Sequence, residues 1–99
     1  MKYLVTYEPE ALNDFLDLYD YIAEHSDLRT ALRYVERIEA SCESLSTFPL
    51  PGTSVGDLRK GLRIVGFERK VNIAFAIDIN TVRIIRVLPG GRQFPGLSF

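Results

Sequence analysis

Ninety-nine residues, 46% of them hydrophobic and 25% charged, suit one soluble domain around one core, residues 1–99, with no room for a second. A single cysteine excludes an internal disulfide, and no apolar run reaches the length needed to cross a bilayer. The formal charge of −1 hides a polarity: four basic and ten acidic residues through Phe48 give −6, while eight basic and three acidic residues from Pro49 onward give +5. That polarity fits a basic working surface on an acidic support, and equally fits strands and turns that happen to carry arginine.

The opening MKYLVTYEPE has an apolar patch too short and too soon acidic for a signal peptide, so the cytoplasm is the expected location. Residues 2–7 alternate and are β-prone, which predicts a first strand that joins a sheet. Glu8-Pro9-Glu10 then opens a helix over residues 9–25: proline suits the first turn and the glutamates suit the positive end of the dipole. Leu12, Phe15, Leu16, Tyr19, Ile22 and Ala23 recur at helical spacing as its expected core stripe. Asn13, Asp14, Asp17, Asp20 and Glu24 are expected to face away, and Tyr21 lies off the stripe.

Ser26 or Asp27 can cap a second helix, which is expected to run to about residue 48, where Pro49 stops it. Its stripe is Ala31, Val35, Ile38, Cys42 and Leu45. Arg29, Arg33 and Arg37 recur on another face among Glu36, Glu39 and Glu43, as on a solvated, ion-paired surface. No His or Lys neighbours Cys42 in sequence, so it reads as packing rather than as a reactive thiol. The short connection makes the two helices an antiparallel hairpin. Residues 50–56 (LPGTSVG) read as a loop.

GLRIVGFERKVNIAFAIDINTVRIIRVLPGGR, residues 61–92, reads as three strands joined by short turns, hence an antiparallel meander. The strands are expected at 62–66, 71–77 and 82–88, with Val71, Ile73, Phe75 and Ile77 on one face of the second. So small a sheet needs cover, and the helical hairpin supplies it. The segment 89–99 carries too many prolines and glycines for a regular element.

His25 stands alone at a helix end, so neither a metal site nor a Ser-His-Asp triad is expected, and no cofactor is called for. Gly90-Gly91 lacks the spacing and following lysine of a phosphate loop. The chemistry left is that of the sheet-borne basic residues. Arg86, mid-strand between Ile84 and Leu88 on its own face, lies either in an open groove or buried with a partner. Arg63 is likewise inside a strand, preceded by Arg59 and Lys60, while Arg69 and Lys70 mark a hairpin turn. Such guanidinium groups can grip phosphate or carboxylate, or pair locally with acids such as Glu68 and Asp78. The pairing reading is at least as strong for Arg69 and Arg83, whereas Arg86 and Arg63 are expected to serve function.

The stretches DFLDLYDYIAEHS, ALRYVERIEASCESLSTFP, GLRIVGFERKVNIAF and VRIIRVLPGG, in this order, resemble the RelE/ParE toxin superfamily, and most closely its ParE branch of plasmid-stabilisation proteins. The resemblance runs from Tyr3 to about Arg92 and implies an α+β fold of order β-α-α-β-β-β. It also implies a bacterial cytoplasmic toxin, held inactive by a ParD-like antitoxin that folds over it. On that basis DNA gyrase is the expected target and the protein is a non-catalytic poison. Arg59, Lys60, Arg63, Arg69, Arg86, Gly90, Gly91 and Arg92 are its candidate target-binding residues. Leu16, Tyr19, Tyr21, Tyr34, Arg37 and Ser41 are the candidates for the antitoxin. Neither a membrane nor sequence-specific DNA binding by this chain is expected, and a homodimer within the toxin–antitoxin complex stays open.

Two alternatives accompany this reading. One is a RelE-like ribosome-dependent ribonuclease using Arg59, Arg63 and Arg86; RelE-type enzymes often add a C-terminal tyrosine or histidine, and here no tyrosine follows Tyr34 and no histidine follows His25. The other is an inactive toxin kept as an antitoxin-binding module. The ParE branch often has an aromatic before its Gly-Gly pair, where this chain has Leu88-Pro89.

Overall fold

The computed structural model describes residues 2–47, 53–54 and 61–90. In chain order these form β1 (Leu4–Tyr7), α1 (Pro9–His25), α2 (Leu28–Ser44), β2 (Thr53–Ser54), β3 (Leu62–Phe67), β4 (Val71–Ile77) and β5 (Thr81–Pro89). The strands make one mixed sheet in the order β1-β5-β4-β3-β2. The expected α+β order and the β3–β4–β5 meander are both present, and β1 joins as a parallel edge strand, Leu4 opposite Thr81 through Tyr7 opposite Ile84. Within the segment read as a loop, Thr53 and Ser54 pair instead with Ile64 and Arg63 as a two-residue edge strand. Two paired residues carry no periodicity to read, so a Pro/Gly-rich context hides them. β5 also runs to Pro89, one residue into the expected irregular tail.

Local chemistry sets the helix starts. Pro9 sits in the first turn of α1, where a missing N–H costs nothing. Asp27 is the N-cap of α2: its Oδ1 accepts the Thr30 N–H at 2.7 Å, which holds this carboxyl below the usual range. α2 ends at Ser44 with turns through Thr47, short of the expected residue 48. The β3–β4 turn closes with the Lys70 N–H on the Phe67 carbonyl at 2.9 Å, and both central residues, Glu68 (φ 50°) and Arg69 (φ 59°), are left-handed. The register pairs Phe67 with Val71, so the connection is a three-residue loop whose first two residues are left-handed, built here without glycine.

The core lies between the helices and one sheet face: Ala11, Phe15 and Leu18 of α1 and Ile38 and Cys42 of α2 against Ile73, Phe75, Val82, Ile84 and Val87. A smaller apolar cluster, Leu62, Ile64, Ala74 and Leu88 with Ile85, occupies the opposite face. Regular alternation cannot place both Ile84 and Val87 inward. A β-bulge does so: Ala74 opposes Arg86 while Phe75 opposes Ile84, leaving Ile85 as an extra residue. The expectation that Arg86 shares a face with Ile84 and Leu88 therefore fails, because the bulge puts those two leucine-sized residues in different clusters.

The expected α1 stripe is also rotated. Leu12 (51%) and Leu16 (62%) are exposed, and the buried positions are Ala11, Asp14, Phe15 and Leu18, with Asp14 only 6% exposed. α1 has apolar residues on more than one flank, so spacing alone admitted two stripes. The small Ala11 lets the helix approach, and Asp14 has partners on β5 that sequence could not place. Cys42 is fully buried, and burial, with Glu43 and Glu39 nearby, pushes its thiol up to about 12. The Tyr7 hydroxyl, which donates to Glu43, is likewise pushed upward, chiefly by burial. No helix among the described residues is long and apolar enough to cross a membrane.

Candidate partner-binding groove

Where α1 and α2 meet the ends of β4 and β5, the described residues leave an open groove of about 970 Å³. One wall is Asp14, Asp17, Leu18, Tyr21 and Ile22 of α1; the other is Thr30, Arg33, Tyr34 and Arg37 of α2. Lys70, Val71, Val87, Leu88 and Pro89 close it from the sheet. Each helix contributes residues three and four apart, which is how a helix presents one flank. Tyr21 is 61% exposed, its ring stacked on His25 at 4.2 Å, and the His25 ring nitrogen Nδ1 lies 2.8 Å from the Tyr21 carbonyl.

Two guanidinium–carboxylate pairs frame the groove. Arg86 Nε and Nη2 donate to Asp14 at 2.8 and 3.0 Å, and the Val87 N–H donates to the same carboxylate at 2.9 Å. β1 ends opposite Ile84, whose carbonyl takes the Glu8 N–H at 2.8 Å. Past that point Asp14 serves the β5 edge in place of a strand, and its hydrogen bond holds the Arg86 guanidinium protonated to higher pH than usual. The second pair ties α2 to the β3–β4 turn: Arg37 Nη2 lies 2.7 and 2.9 Å from the two Glu68 oxygens. The same guanidinium lies over the Tyr34 and Phe67 rings, 5.3 and 5.9 Å from their centroids.

Of the expected target-binding residues that are described, Gly90 lies against the Arg69-Lys70 turn, while Arg63 and Arg86 stand on β3 and β5 with β4 between them. Of its two alternatives, Arg86 takes the partnered one, bonded to Asp14 at a quarter of its side-chain exposure. Arg63 is half-buried on β3, opposite Phe75, and makes an interaction of its own. Arg69 is exposed at the hairpin tip. Gly90 has a structural reason to be glycine: its N–H donates to the Lys70 carbonyl, and a Cβ there would lie 3.2 Å from that oxygen. Arg59, Lys60, Gly91 and Arg92 lie outside the described residues. Arg83 pairs with Asp78 at 2.9 Å and Glu8 at 3.3 Å, as its local-pairing reading expected.

Of the antitoxin candidates, Tyr21, Tyr34 and Arg37 line the groove. Leu16 and the half-buried Tyr19 do not; Ser41 is half-buried one turn beyond Arg37. Arg37 finds its acid across the fold at Glu68 rather than along its own helix. Sequence reasoning missed Asp14, Asp17, Thr30, Arg33 and Lys70 as groove residues. The helical spacing of Asp14, Asp17 and Tyr21 was visible, but not which flank the sheet end would meet. Among the described residues no group of three or more His, Cys, Asp or Glu side chains is placed to hold a metal ion.

Known proteins agree with this architecture. No curated protein matches the sequence. A solved structure described as the chromosomal ParDE TA system from P. aeruginosa matches with a TM-score of 0.77 at 19% identity, over 89% of this chain and 96% of that one. At that identity the likeness establishes the fold. The family described as the ParE toxin of the type II toxin-antitoxin system parDE matches residues 5–94. Nearly the whole length is thereby covered, and the chain belongs to the ParE toxin family.

Proposed function

We propose that this protein is the toxin of a type II toxin–antitoxin pair in the bacterial cytoplasm, that a ParD-like antitoxin neutralises it by docking in the groove, and that its target is DNA gyrase. The family match over residues 5–94 carries the first part. The groove supports the second: it is open, floored by apolar residues and flanked by two helices, a shape that takes an amphipathic segment folding as it binds.

A protein poison rather than a nuclease is supported by the state of the arginines. Stabilising a phosphorane needs cations aimed at one point, and Arg86 is already aimed at Asp14. The exposed Arg69 at the hairpin tip and the half-buried Arg63 remain the proposed target contacts, together with Arg59, Lys60, Gly91 and Arg92. Purified toxin is expected to block supercoiling by purified gyrase and to trap its cleavage complex. Normal supercoiling at saturating toxin, with codon-linked transcript ends after induction in cells, would replace this reading by ribosome-dependent RNA cleavage. No growth arrest at all would favour the inactive binding module.

A further inference from the structure

We infer that Asp17, Arg33 and Lys70 form the charge code by which the groove selects its partner segment, and that Asp14 and Arg37, which line the same walls, take no part in it. The inference rests on the docking reading above and adds the chemistry of the docked segment. The floor, from Leu18, Ile22, Val71 and Val87, accepts any amphipathic segment, because apolar burial is non-directional. Selection among such segments falls to the charges around it.

Of the five charged residues lining the groove, two are already satisfied. Asp14 is bonded to Arg86 and the Val87 N–H, and Arg37 is bonded to Glu68. Asp17, Arg33 and Lys70 are exposed and enter none of the ion pairs among the described residues. They are also separated by sign: Asp17 belongs to the α1 wall, Arg33 to the α2 wall and Lys70 to the turn before β4. The fitting occupant is an amphipathic helical segment with carboxylates on the flank that meets Arg33 and Lys70 and a cation on the flank that meets Asp17. A helix turned end for end exchanges its flanks, so the same three charges also fix the direction in which the segment lies.

The test uses the full chain and three synthetic amphipathic peptides sharing one leucine stripe: glutamate on one flank and lysine on the other, glutamate on both, and lysine on both. Binding is read by fluorescence anisotropy at low and physiological salt. The mixed peptide is expected to bind best, and the doubly basic one roughly tenfold or more weaker. Arg33→Glu with Lys70→Glu is expected to reverse the order of the two uniform peptides, while Arg37→Gln keeps it; circular dichroism verifies that each variant is folded. Equal affinity for all three peptides, or an order unmoved by the double substitution in a folded variant, overturns the charge code and leaves the docking reading standing. No binding by any peptide at low salt removes the docking reading, and the code with it.

Discussion

The two guanidinium–carboxylate pairs beside the groove do the same geometric job in different surroundings. Both join a helix to the sheet, and both bring two guanidinium nitrogens to a carboxylate. Arg37–Glu68 stands about half exposed on each side, whereas the Asp14 side chain is 7% exposed and also serves a backbone N–H. Water can replace either partner of the first pair at little cost. It cannot readily reach the carboxylate of the second, so burial rather than bond geometry decides what each contributes.

The largest expected effect follows from that contrast. Asp14→Ala leaves a mostly covered guanidinium and the Val87 N–H without their acceptor, and should lower unfolding stability by about 3 kcal/mol in urea titrations. A loss no larger than that of Arg37→Ala would dissolve the contrast. Arg69→Gly should act in the opposite direction, raising stability by about 1 kcal/mol, because glycine adopts the left-handed conformation without strain. Arg37→Ala removes an exposed pair and two ring contacts and should cost about 1 kcal/mol or less, shrinking further in high salt.

The smallest effect concerns the α2 cap. The folded Asp27 carboxyl titrates below its unfolded value near about 3.9, so its contribution is complete above that pH and disappears as pH falls through the folded value. Asp27→Asn should flatten this acid-limb dependence in unfolding measured across that range, while leaving a side chain that still caps. An unchanged acid limb would place the titration elsewhere.

The sequence disclosed what periodicity and punctuation encode. β4 alternates, Pro9 and Asp27 start the helices, and the Ala31–Ile38–Cys42 stripe is buried. It concealed whatever one inserted residue or a distant partner decides. The extra Ile85 changes which face every later β5 residue takes, and no local signal announces it. Asp14 looked like a solvated helix carboxylate because its partners, Arg86 and Val87, are far along the chain. The same distance hid the pairing of Arg37 with Glu68. Groove-lining residues were legible where aromatics stood off a core stripe, as Tyr21 did, and illegible where a flank mattered only because of what faces it.

The parallel pairing of β1 with β5 has a bearing on how the molecule is made. A chain emerging from the ribosome exposes its first strand long before Thr81 to Ile84 exist to receive it, and contacts of such long sequence separation form late. Until then α1 lacks the strand edge on which Asp14 settles, and the groove has no far end. The groove is therefore absent from the growing chain until the residues of β5 have been made.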